Sequence, residues 1–282
     1  MILAGTGLEF INRVKAFLHQ RFSIKDFGSL RYFLGIEVAR APEGMVLSQR
    51  KYVLDILADA CVLGCRPSAF PVEQNHHLTR PAPADYPDHA AYRRLVGRLL
   101  YLTVTRPDIT HGVNILSQFV HAPTQAYMDA AQRILRYLKN APGHGLFFPT
   151  ASSLELIGYC DAESTRRSTI GYVVTLGGAP ISWRTKKQRV VARSSAETEY
   201  HAMASTVSEI IWLQWLLQEL GAPQQGPTPL YCDNQAALHI AANPVFHERT
   251  KHVEMDCYFV RERVQSGDIN PLKIGSHFQL AD

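Results

Sequence analysis

Residues 154–203 read LELIGYCDAESTRRSTIGYVVTLGGAPISWRTKKQRVVARSSAETEYHAM. Three apolar runs open the stretch, Leu154–Asp161, Gly171–Leu176 and Pro180–Arg184, each bounded by polar, glycine or proline residues. Runs of that length with turn residues between them predict three short strands in a meander. From Ser195 to about Leu220 the period changes. Tyr200, Met203, Val207 and Ile210 recur every three or four residues, the spacing of one helix face. Ser194-Ser195-Ala196-Glu197 fits a capping box, with Ser194 as N-cap. Glu197 therefore has a structural job, and Glu199 has none.

Downstream, Leu230-Tyr231-Cys232 predicts a brief strand and Asn234–Ala242 a helix. Val253, Cys257, Val260 and Val264 mark another helix, and Ile269–Ile274 a last strand. Three strands, helix, strand, two helices and strand make a mixed α/β domain over residues 151–282. Upstream, Ala91–Lys139 reads as all helical. Leu95, Leu99 and Leu102 form one stripe, Ile109, Val113 and Leu116 a second, and Ile134, Leu135 and Leu138 a third. Pro107 and Pro123 separate them, since proline cannot donate the helical hydrogen bond. The proline-rich stretch from Arg66 to Asp88 reads as a linker. Before it, Tyr52–Ala60 reads as a helix. Tyr32–Val38 and Met45–Ser48, joined by Ala41-Pro42-Glu43-Gly44, read as a hairpin. Phe10, Val14, Phe17 and Leu18 predict an amphipathic helix over 8–22.

The chain has 282 residues, 46% hydrophobic and 19% charged, which excludes a charge-solvated disordered chain. No apolar window reaches the ~20 residues of a membrane span. The first residues lack the basic start of a secretory signal, so the expected location is cytoplasmic or nuclear. Five scattered cysteines argue against a disulfide framework, and Cys61 and Cys65 lack a second pair for zinc. Net charge is +4, unevenly spread. From Ser164 to Arg193 stand Arg166, Arg167, Arg184, Lys186, Lys187, Arg189 and Arg193 with no acid between them. A basic strip of this kind suits a polyanion partner or is a solvated strand face. Tyr172 and Trp183 interleave with it and either stack on nucleic acid or pack in the core. His76 and His77 fall in the linker, and His252 near a helix start.

Asp161 ends the first meander strand and Asp233 the fourth; Glu199 lies in the first turns of the long helix, and Asp282 is the last residue. Strand ends and a helix start can bring such acids together. Crowded like charges need a neutralising cation, and hard divalent cations prefer oxygen ligands. Four such acids suit a two-metal phosphodiester site; solvated strand-end acids are the plainer alternative.

Motifs along most of the chain carry a resemblance: FSIKDFGSLRYFLGIEVAR, LVGRLLYLTVTRPDI, TRRSTIGYVVTLGGAPISWRTKKQ, ARSSAETEYHAM, YCDNQAAL and QLAD. The sequence resembles the C-terminal part of the Pol polyprotein of Ty1/copia-type LTR retrotransposons. The resemblance implies residues 1–75 as a remnant of the reverse transcriptase palm and thumb, and 76–150 as a linker and helical thumb/connection region. It implies 151–282 as a ribonuclease H-like α/β domain, a five-stranded mixed sheet with flanking helices, truncated at its last helix. It also implies Asp161, Glu199, Asp233 and Asp282 as catalytic acids holding two Mg²⁺ ions, with Mn²⁺ as a substitute, and hydrolysis of the RNA strand of an RNA–DNA hybrid. Recognition would rest on backbone and 2′-OH contacts, with Arg166, Arg167, Lys186, Lys187 and Arg193 on the binding surface.

Three departures bear on that implication. The family's polymerase motif precedes the stretch that begins here at Met1, so DNA synthesis is not expected of this chain alone unless other Pol segments supply the palm. The hairpin after Asp161 is shorter than in relatives, so Asp161 is expected to be vulnerable to a shift in register. The chain stops at Asp282, where the family opens a helix, with Glu254 or Asp256 as weak substitutes. The alternative is a catalytically inactive relic that folds and at most binds nucleic acid. An integrase-like strand transferase fits poorly, because Glu199 lies between the two aspartates instead of after them.

Overall fold

A computed structural model describes residues 1–5, 7–73, 78, 86–163, 168–188, 194–242 and 254–281. Arg166, Arg167, Arg189, Arg193, Asp282, His76, His77, His252 and the side chain of Glu254 lie outside the described residues.

The N-terminal half opens with helix α1 (Leu8–Arg21), which covers the expected span but buries none of its residues. Strands β1 (Tyr32–Phe33), β2 (Ile36–Ala41), β3 (Gly44–Ser48) and β4 (Gly145–Pro149) form an antiparallel sheet in that order. Tyr32–Val38, expected as one strand, is broken at Leu34-Gly35. Both residues take positive φ, 49° and 79°, and reverse the chain into β2. Strand β4 was not expected; it pairs with β3 from Gly44↔Pro149 to Ser48↔Gly145 and so joins distant parts of the chain.

Helices α2 (Arg50–Asp59), α3 (His89–Leu102), α4 (Thr110–Ser117) and α5 (Gln125–Asn140) share one apolar core. Val53, Ile56 and Leu57 of α2 meet Leu99, Leu102, Val113 and Leu135 there, so residues on both sides of position 75 pack together. At the seam of this block Arg106, only 1% exposed, forks onto the Asp108 carboxylate at 2.7–3.2 Å and donates to the Ala141 carbonyl at 3.1 Å. Burial pushes the Asp108 carboxyl up, but the Arg106 hydrogen bonds and charge outweigh it and hold the carboxyl below its usual range.

The C-terminal half is built on strands β5 (Leu156–Glu163), β6 (Thr169–Leu176), β7 (Ala179–Lys187), β8 (Thr228–Cys232) and β9 (Ile269–Lys273), in the order β7-β6-β5-β8-β9. The first three are antiparallel neighbours; β5–β8 and β8–β9 are parallel. This is the mixed five-stranded order of the ribonuclease H-like fold. The parallel connections run through α6 (Ser195–Glu219) and through α7 (Gln235–Ala242) with α8 (Glu254–Gln265), as crossovers require.

Helix α6 lies on the sheet through Tyr200, Met203, Val207 and Ile210, all buried with Cys160, Val174 and Leu230. Gly158 sets how closely it sits: a methyl there would stand 2.7 Å from Ile210 Cδ1. No described helix is long and apolar enough to cross a membrane.

Candidate active site

The site is assembled where β5, β8 and α6 meet. Strands β5 and β8 run parallel with Cys160 opposite Cys232, so Asp161 and Asp233 follow at the same level on neighbouring strands. Such strands lie about 4.8 Å apart. Both cysteines are fully buried under α6. The helix start is fixed by Ser194, whose hydroxyl accepts the Glu197 N–H at 3.2 Å, and by Thr198, whose hydroxyl lies 3.1 Å from that of Ser168. One turn in, Glu199 is 5% exposed and faces the strand ends.

A Glu199 carboxylate oxygen, the Cys232 sulfur and an Asp233 carboxylate oxygen all lie within 4.8 Å of one another. The backbone N–H of Ala162 donates to Glu199, yet its Oε2 is buried with no hydrogen-bond partner. Burial, followed by the neighbouring Cys232, Asp161 and Asp233, pushes the Glu199 pKa up to about 9, against the opposing Ala162 hydrogen bond. Without a cation, Glu199 holds a proton at neutral pH. An orphaned, buried oxygen clustered with Asp233, with Asp161 near enough to be felt electrostatically but outside that cluster, fits a hard divalent cation.

Asp233 is held from outside the sheet: Ser276 Oγ donates to its Oδ2 at 2.7 Å, and the Lys273 ammonium donates to its backbone carbonyl. The C-terminal segment returns across β5. Gln279 Nε2 donates to the Cys160 carbonyl at 2.9 Å and Gln279 Oε1 accepts the Ala281 N–H at 3.3 Å. The Ala281 carbonyl then rests on Gly171, where a methyl would stand only 2.9 Å from it. Gly171 is the register partner of Asp161. Residue 281 is thus delivered beside the first aspartate. Ser276 carried no signal as a site residue in the sequence, and Gln279 stood in the QLAD motif without a role of its own.

The residues of the hairpin expected to be short lie outside the described residues, but the β5–β6 pairing up to it is regular. The register is unbroken from Leu156↔Leu176 to Glu163↔Thr169, and the irregularity falls instead between β6 and β7, at Val174/Thr175. Eight consecutive pairs therefore hold Asp161 in place.

The basic strip divides. Lys186 is exposed on β7, whereas Lys187 donates to Gln118, which caps the C-terminus of α4, at 2.8 Å. Trp183 donates from Nε1 to the Thr103 carbonyl at 3.0 Å, and Tyr172 is buried. Lys187 and Trp183 thus tie β7 to the helical block. A cleft of about 710 Å³ separates that block from the sheet, lined by Phe70, Val72, Gly112, Gly171, Trp183 and Asp161. Asp256, a substitute candidate for Asp282, sits 2.5 Å from His201 Nδ1. Its hydrogen bond to His201 pushes that imidazole pKa up, outweighing the opposing effect of burial.

Comparison with known proteins gives the ancestry. Residues 1–74 match the family described as reverse transcriptase (RNA-dependent DNA polymerase). The whole chain is 44% identical to 20% of the retrovirus-related Pol polyprotein from transposon RE2 of Arabidopsis thaliana. A putative transposon Ty5-1 protein of Saccharomyces cerevisiae is 32% identical over 74% of this chain and 71% of its own length. The chain belongs to the copia-type retrotransposon Pol family. This Pol segment spans about a fifth of the length of the RE1 and RE2 polyproteins it matches. It joins a reverse transcriptase C-terminal region to a ribonuclease H-like fold. Among solved structures, the Pol segment is similar to RNase H1 from the archaeon Halobacterium salinarum NRC-1, with 12% identity over 44% of this chain and 89% of that one and a TM-score of 0.34. It is also similar to the foamy viral protease-reverse transcriptase in complex with RNA/DNA hybrid, with 10% identity over 86% and 29% and a TM-score of 0.49.

Proposed function

We propose that residues 151–282 act as a metal-dependent nuclease on the RNA strand of RNA–DNA hybrids. The observation that carries this reading is the buried, unpartnered Glu199 oxygen, clustered with Asp233 and raised in pKa first by burial and then by Cys232 and the two aspartates. Asp161, Glu199 and Asp233 would hold Mg²⁺, or Mn²⁺ in its place, with Asp282 as the fourth acid in the two-ion arrangement the family resemblance implies. A bound divalent cation lowers the pKa of its water and stabilises charge on the phosphate and the leaving oxygen.

The chain's own groups do the positioning. The Ala162 N–H orients Glu199, and Ser276 orients Asp233. The unbroken β5–β6 ladder fixes Asp161. Attack of water on phosphorus, with cleavage of the bond to the 3′ oxygen, would leave 3′-OH and 5′-phosphate ends. The exposed Lys186, with Arg166, Arg167 and Arg193, would supply backbone contacts, so sequence preference would be weak. Lys187, already bonded to Gln118, would contribute less.

The test uses end-labelled RNA presented as an RNA–DNA hybrid, as a single strand and as an RNA duplex, each with Mg²⁺ and with EDTA. Cleavage of the hybrid alone, only with Mg²⁺, is expected. A folded protein that leaves the hybrid intact would refute the reading.

A further inference from the structure

The acidic cluster contains a ligand that magnesium chemistry does not use. Cys232 Sγ lies within 4.8 Å of both a Glu199 and an Asp233 carboxylate oxygen. It is fully buried and is a free thiol. The backbone holds it there: the Asn234 N–H donates to Sγ at 3.4 Å, and the parallel register fixes Cys232 against Cys160. Independently of the sulfur, Glu199 Oε2 is buried at the same point without a partner.

Oxygen and sulfur ligands bind zinc at about 2.0–2.2 and 2.3 Å, which places ligands of one ion about 3–4 Å apart. Small rotations of Glu199 and Asp233 would bring the three atoms to that spacing. Thiolate selects soft and borderline cations, whereas carboxylate and water suit magnesium.

We infer that Glu199, Cys232 and Asp233 form a mixed oxygen–sulfur site for a zinc-class divalent cation, which competes with a hard cation for the two carboxylates. The inference rests on the reading of this cluster as a metal centre. On binding, the Cys232 S–H bond breaks, its proton passes to solvent and a sulfur–metal bond forms. No electron transfer is involved.

The experiment titrates the purified chain with Cd²⁺ and follows the ultraviolet charge-transfer band of the cadmium–thiolate bond. Cys61 and Cys65 are exposed free thiols, so the titration uses the Cys61→Ser/Cys65→Ser background. A saturable band is expected. It is lost in Cys232→Ser and kept in Cys160→Ser. In Glu199→Gln, which leaves every buried thiol in place and covers the event that Cys232→Ser misfolds, Cd²⁺ affinity falls about tenfold or more. Millimolar Mg²⁺ should weaken apparent Cd²⁺ binding.

A band that persists in Cys232→Ser, or affinity unchanged in Glu199→Gln, overturns the inference. Mg²⁺-dependent hybrid cleavage without a Cys232-dependent band overturns it and leaves the nuclease reading standing. A Cys232-dependent band in a protein that cleaves nothing supports it and removes the nuclease reading.

Discussion

Glu199→Gln is the substitution whose thermodynamic effect the structure defines most closely. The folded carboxyl, 5% exposed, keeps its proton until about pH 9, whereas the unfolded chain releases it near 4.5. Between those values the unfolded state binds fewer protons than the native one, so stability falls as pH rises. One pH unit corresponds to a factor of ten in proton binding, so between pH 5 and pH 7 the native protein should lose on the order of 2–3 kcal/mol from this group. Glutamine fills the same space and does not titrate. Urea denaturation of both proteins in EDTA across pH 5–7 therefore checks the claim directly: the wild-type curve should descend relative to Glu199→Gln by that amount. Mg²⁺ should flatten the wild-type curve, because a cation favours the ionised carboxylate, and should leave the variant unmoved. Parallel curves in EDTA would refute the argument, since Glu199 would then not be held protonated in the fold.

Other substitutions test the rest of the frame. Gly171→Ala puts a methyl 2.9 Å from the Ala281 carbonyl, so the C-terminal segment should leave the sheet; faster carboxypeptidase digestion and slower hybrid cleavage are expected. Arg106→Met leaves the part-buried Asp108 carboxylate without its guanidinium, with the Tyr137 hydroxyl still donating to it at 2.8 Å, and should cost about 3 kcal/mol by denaturation. Because the folded Asp108 pKa is lowered, its contribution should also disappear from the wild type, but not from Arg106→Met, as pH falls below the ordinary carboxylate range. Trp183→Phe removes the hydrogen bond to the Thr103 carbonyl and should weaken the tie between β7 and the helical block by about 1 kcal/mol, read as earlier separation of two unfolding transitions.

The ribonuclease H-like half was legible because its elements carry clean periods. The apolar runs that became β5 and β6 stand between turn residues, and the Tyr200–Met203–Val207–Ile210 stripe specifies a helix face that is buried as expected. What stayed hidden depends on partners far away in the chain. Strand β4 pairs with a hairpin about a hundred residues earlier, and nothing local to Gly145–Pro149 announces that. The Leu34-Gly35 reversal relies on positive φ at a leucine, which composition does not signal. For Lys187 and Trp183, spacing places them on β7 but does not show that α4 and Thr103 lie opposite. At the site, the acids could be singled out by their expected places at strand ends and at a helix start, although β5 runs two residues past Asp161, to Glu163. The sulfur of Cys232 could not, because its meeting with Glu199 depends on how far α6 descends over the sheet.

The most direct test of the central claim is the rate of RNA cleavage in an RNA–DNA hybrid with Mg²⁺, measured for the wild type and for Asp161→Asn, Glu199→Gln and Asp233→Asn. If the three carboxylates form one metal centre, each variant should fold and lose at least about 100-fold in rate. Wild-type cleavage that survives in any of the three, or that continues in EDTA, would contradict it.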